Sequence, residues 1–149
     1  MPGLEPVERI PQVRKRRGTR AINPDAVPLW ARKLAADVCR EYEVPIPPIR
    51  WRRSGKHTLS SGVCNKERIA ITAGSNIVDR RLVLLHELGH WLMHHRHGRP
   101  RESHGYRFWQ QAWELYQLWE MDLEYAYARE GSYREKAKWT APEAAHRGG

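Results

Sequence analysis

Six of the eight histidines, His86, His90, His94, His95, His97 and His104, fall within 19 residues, and the first two frame the pentapeptide His86-Glu87-Leu88-Gly89-His90. This is the pattern H-E-x-x-H. On a helix, residues four apart are separated by about 40° around the axis and about 6 Å along it, so both imidazoles reach one ion from the same face. Such a pair suits zinc, which takes neutral histidine nitrogens at about 2.0–2.1 Å and keeps a position for water in catalytic sites. Glu87, directly after the first ligand, is placed to take a proton from that water and pass it to a leaving amine, the role of a general base. Two ligands do not complete a site. The third must follow a chain reversal, which Gly98-Arg99-Pro100 supplies, and His104 lies 14 positions beyond His90 at the opening of the next helical segment.

Leu84, Leu85, Leu88, Trp91 and Leu92 surround the motif with apolar side chains, and Gly89 removes bulk beside the ligands. A Glu buried there without a cation would be costly to desolvate, so metal ligation explains the arrangement better than core packing does. His94 extends the same face one turn further, yet at a helix end it reads as an exposed group favoured by the negative end of the dipole. His95 and His97 read as surface groups. Amide hydrolysis also needs a donor for the developing oxyanion, and Tyr106, Arg107 and His94 are the candidates. Trp91, Trp109, Trp113 and Trp119 read as core packing. Cys39 and Cys64, 25 positions apart, form neither a disulfide framework nor a Cys-rich zinc site, and a reducing, cytoplasmic setting is expected.

The elements that must position these groups follow from periodicity. Asn23-Pro24 reads as a helix start, and Val27, Trp30, Ala31, Leu34, Ala35 and Val38 recur at helical spacing, which predicts a helix over about 24–43. Short β-like segments follow at 49–51, about 57–64 and 69–72, with a turn at Asn65-Lys66, and a small antiparallel sheet is expected. Ser75 or Asn76 caps the motif helix, which runs through about 95. A third helix is expected over about 103–119, with Phe108, Ala112, Leu115 and Trp119 on one stripe, and a short fourth over 122–130. The chain then divides into a flexible basic arm (1–22), one α+β domain (23–131) and a flexible tail (132–149).

The string Leu84-Leu85-His86-Glu87-Leu88-Gly89-His90-Trp91-Leu92-Met93-His94 resembles the active-site helix of small zincin peptidases of the ImmA/IrrE-like group. His104-Gly105-Tyr106-Arg107-Phe108-Trp109 is similar instead to the second motif of the SprT-like, WLM and YgjP-type group, in which H-G-x-x-F supplies the third histidine. The resemblance covers about residues 24–120. It implies a zincin-like (minigluzincin) fold: an N-terminal helix, a small sheet with a substrate-pairing strand, the H-E-x-x-H helix and a ligand helix. It makes His86, His90 and His104 the Zn2+ ligands and Glu87 the general base of a metalloendopeptidase, with Phe108 packing the ligand helix so as to fix His104. A protein or peptide substrate would lie extended along an edge strand near Ile69 to Thr72. ImmA-like proteins place an acidic third ligand after the helix, so Glu102 and Glu114 compete with His104. The four-cysteine ribbon that follows some SprT domains does not occur here.

With 26 Lys+Arg against 17 Asp+Glu the chain carries a formal charge of +9, and the excess sits in residues 1–101, which hold 20 basic and 9 acidic groups. Arg14 to Arg17 together with Arg50, Arg52, Arg53 and Lys56 could lie along phosphates, so nucleic acid is a possible partner through this basic half. The same charges would equally guard a sheet edge. No apolar stretch approaches the roughly 18–20 residues of a membrane span, and no secretory leader is expected. The alternative to a hydrolase is a nucleic-acid-associated regulatory or assembly protein with a structural or vestigial zinc site, which would require a fourth protein ligand in place of water.

Overall fold

A computed structural model describes residues 26–98 and 103–146. The expected Asn23-Pro24 cap lies outside them. The first helix, α1 (Leu29–Glu41), begins later than the apolar pattern suggests, because a residue that precedes proline is disfavoured in the helical region and Pro28 is its N-cap. Ala31, Leu34, Ala35, Val38 and Cys39, at helical spacing, are its buried face. It closes with Val44 N donating to Cys39 O, ahead of Pro45, Pro47 and Pro48.

Three strands follow: β1 (Ile49–Arg53), β2 (Ser61–Cys64) and β3 (Ile69–Ala73). Their order in the sheet is β1-β3-β2, with β2 antiparallel to β3 (Ser61 opposite Thr72) and β1 parallel to it (Ile49 opposite Ile69). The sheet is thus mixed, and the antiparallel expectation is corrected. The β2–β3 hairpin forms where Asn65-Lys66 places it: the Asn65 side chain accepts from the amides of Glu67 and Arg68. The chain after β1 instead crosses the end of β3, where the His57 and Thr58 carbonyls accept from Ser75 N and Asn76 N, so β1 and β2 end on opposite sides of β3. These contacts also shorten the second strand from the expected 57–64 to Ser61–Cys64. In β3 alternation is strict, with Ile69, Ile71 and Ala73 buried in the core.

Asn76 caps α2 (Ile77–His97) by accepting from Asp79 N, and the helix ends at Gly98, whose φ of 71° suits glycine. Then come α3 (Tyr106–Leu118), α4 (Leu123–Tyr133, capped by Asp122), α5 (Glu135–Thr140) and a 3-10 turn (Glu143–His146). The architecture is α+β, with α2 central: it packs on the sheet, on α1 and on α3. Gly89 permits the α2–α3 approach, since a Cβ there would stand 3.2 Å from Phe108 Cε1. Trp91, Trp109 and Trp113 are buried and Trp119 packs against the core, as expected of them. The expected tail is corrected as far as residue 146: Ala137 and Ala145 are buried, and Trp113 Nε1 donates to Ala137 O at 2.9 Å. Alanines small enough to seat closely, Ala137 of α5 against α3 and Ala145 of the 3-10 turn beside α4, carry this docking where no large apolar residue signals it. Among the described residues no helix is long and apolar enough to cross a membrane.

Candidate metal centre

Helix α2 presents His86 and His90 one turn apart, and His104 returns to them from the turn that precedes the α3 N-cap, Gly105. His104 Nε2 stands 3.3 Å from His86 Nε2 and 3.1 Å from His90 Nε2, and the three ligand atoms lie within 4.8 Å of one another. Two imidazoles bound tetrahedrally at ordinary zinc–nitrogen distances would hold their nitrogens about 3.3 Å apart. A single N–H on His104 satisfies one of its two contacts well, whereas a cation satisfies both. Burial, reinforced by His86 and His104, pushes His90 down to about 2, so its ring is neutral and offers a lone pair. The three residues fit a metal ion.

Each ring is held from behind. His86 Nδ1 lies 2.6 Å from Glu130 Oε2, a bond that in the neutral ring keeps the proton on Nδ1 and Nε2 for ligation, and the Tyr116 hydroxyl donates to the same carboxylate oxygen. Burial opposes charge on His86, yet the charge and hydrogen bond of Glu130 outweigh it and hold the ring above its ordinary value. Burial alone would raise Glu130, but His86 first and then the Tyr116 hydroxyl hold its carboxyl below the usual range. His90 stacks on Phe108 with ring centroids 4.0 Å apart and planes 14° from parallel, and His104 meets the same ring edge-on at 5.2 Å. Phe108 therefore packs α3 against α2 as expected. Glu130→Gln, which keeps a hydrogen-bond acceptor but not the charge, is expected to weaken zinc binding about 10–100-fold in a chelator competition. Unchanged affinity would mean that Glu130 does not tune His86.

Glu87 is buried, 5% exposed, and faces the same cavity as the three rings. Burial pushes its carboxyl up to about 7, with His86 pulling down and Glu130 pushing up. The cavity, about 670 Å3, has β2 as one wall and His94, Arg129 and Tyr133 among its other lining groups. Strand β2 passes so close over α2 that a Cβ at Gly62 would stand 2.9 Å from Glu87 Cγ and 3.2 Å from Ala70 O. Gly62→Ala should therefore cost about 1–3 kcal/mol of stability as overpacking, measured by denaturant unfolding. A neutral result would place β2 further from Glu87 than described.

No family model, no curated protein and no solved structure matches this chain. The functional reading therefore rests on the chemistry of the residues that the fold brings together. Of the competing third ligands, Glu102 lies outside the described residues, and Glu114 is exposed and accepts a hydrogen bond from the Tyr42 hydroxyl, away from the cavity. Of the three oxyanion candidates, His94 is at the cavity wall. Tyr106 instead stacks beside Trp139, and Arg107 reaches His97. His95 lies over Trp91 on the far side of the helix end, ring centroids 4.3 Å apart. Glu130, Arg129 and Tyr133 were not legible as site residues. Glu130 stands 44 positions from His86, and only the way α4 packs brings the two together.

Proposed function

We propose that the chain is a zinc-dependent endopeptidase of zincin-like, minigluzincin type, as the ImmA/IrrE-like and SprT-like motifs suggest. The observation that carries this reading is the convergence of the His86, His90 and His104 Nε2 atoms in a cavity that Glu87 also enters. Zinc bound there would polarise a water and a peptide carbonyl. Glu87, with a carboxyl near neutrality, takes up a proton at that point and returns it to the leaving amine. His86 is kept in the ligating tautomer by Glu130, and His94 is the nearest of the expected donors to a developing oxyanion.

The substrate strand is reassigned. Ile69 to Thr72 belong to β3, which is paired on both sides and has no free edge, whereas β2 is an edge strand and a wall of the cavity. An extended protein or peptide substrate added to β2 by main-chain pairing would cross in front of the three rings. A structural zinc site needs a fourth protein ligand, and among the described residues only these three histidines converge. This favours hydrolysis over the regulatory or assembly alternative. Exposed Arg52 and Arg53 on β1, the opposite edge, are the surface on which a nucleic-acid partner of the basic half would act. The free thiols Cys39 and Cys64, both pushed up to about 12 by burial, fit a cytoplasmic setting.

The test is hydrolysis of unfolded casein by the full chain after chelation and after zinc is restored. Fragments are expected only in the restored sample, and their absence under both conditions would sink the reading.

A further inference from the structure

Ser60, the residue before β2, has both main-chain polar groups tied to an ion pair, the buried Asp79 and the part-buried Arg129, in place of a strand. Its N–H donates to Asp79 Oδ2 at 2.6 Å, and its carbonyl accepts from Arg129 Nη2 at 3.0 Å. Asp79 is fully buried at the start of α2, and its other oxygen accepts from Arg129 Nε at 2.8 Å and from the Tyr125 hydroxyl at 2.7 Å. The Ser60 hydroxyl in turn accepts from Gly74 N at 2.8 Å, just beyond β3. Charge-assisted hydrogen bonds of this kind are about twice as strong as neutral ones. A four-residue edge strand paired on one side is marginal by itself, so an anchor at its first residue matters. Arg129 is also the neighbour of Glu130, the carboxylate that holds His86.

We propose that Asp79 and Arg129 are positioning residues, an ion pair with a buried carboxylate that sets the height of β2 over Glu87 and the reach of Glu130 to His86 together. The strand and the first ligand then cannot move independently. The use of β2 by substrate rests on the hydrolase reading above. The anchor does not, because it stands on hydrogen bonds within the chain.

Arg129→Lys keeps the charge but cannot bridge Ser60 and Asp79 with one planar fork. In the full chain, hydrogen exchange over residues 60–64, referred to residues 49–53 of the opposite edge, is expected to quicken about tenfold or more, the loss of one charged hydrogen bond. Asp79→Asn, which keeps an acceptor for Ser60 N and removes the charge, is expected to loosen the same segment. Tyr125→Phe removes a hydrogen bond to the same carboxylate without touching Ser60 and should leave the ratio within about twofold. In the zinc-loaded protein, Arg129→Lys is expected to raise the KM for a peptide more than it lowers kcat. Exchange that is unchanged in both Arg129→Lys and Asp79→Asn, or quickened equally at 60–64 and 49–53, would overturn the proposal. If the wild type hydrolyses nothing, the hydrolase reading fails while the exchange ratio still decides the anchor.

Discussion

Glu87→Gln is expected to bind zinc as the wild type does and to lose about 10²–10⁴ in kcat, the range a positioned acid–base group contributes. The amide has nearly the shape of the carboxyl, so it occupies the same slot beneath Gly62, where the strand leaves room for no more than a hydrogen atom. None of the three ligands is touched. What the amide cannot do is accept a proton, and the Glu87 carboxyl, pushed up to about 7 by burial, is suited to that exchange at neutral pH. Metal content by elemental analysis and casein hydrolysis by gel should be measured on one preparation. A variant that retains zinc and still cuts at the wild-type rate refutes Glu87 as the base. One that loses zinc shows instead that the acid belongs to the ligand set.

His104→Ala is expected to weaken zinc binding by more than about 100-fold, beyond the 10–100-fold typical of losing an outer partner, and to abolish hydrolysis with it. The two histidines left on α2 would offer a cation half of a tetrahedral shell, and nothing else among the described residues converges on the gap. The fold should survive, because His104 is only half-buried and Phe108, which carries the α2–α3 contact, stays in place. Chelator competition on variant and wild type, with thermal unfolding of the metal-free proteins, separates lost ligation from lost structure. Full zinc occupancy in the variant would hand the third place to another residue, Glu102 first.

The H-E-x-x-H helix and the return of His104 after Gly98 were legible because both depend on local spacing: one helical turn and one chain break. The α+β class was legible for the same reason, as was the Asn65 hairpin. Parallel pairing of β1 with β3 was not, since nothing in Ile49–Arg53 distinguishes one neighbour from another until the crossing of residues 54–60 is fixed. That crossing also decides which strand has a free edge, so Ile69 to Thr72, expected at an edge, lie instead on the central strand. Glu130 escaped notice because a Glu near a helix end is an ordinary surface residue in sequence. Its burial comes from the docking of α4, and the docked segment beyond it was itself read as a tail.

The three imidazoles are close along the chain, with 14 positions between His90 and His104, whereas the carboxylate behind His86 is 44 positions away. Closing the shorter loop loses less chain entropy, so the α2–α3 hairpin would bring the three rings together before α4 docks behind them. The Glu130 carboxylate would add to the hold on an ion only once α4 has docked, which ties the affinity of the three rings to the folding of a segment distant from them in sequence.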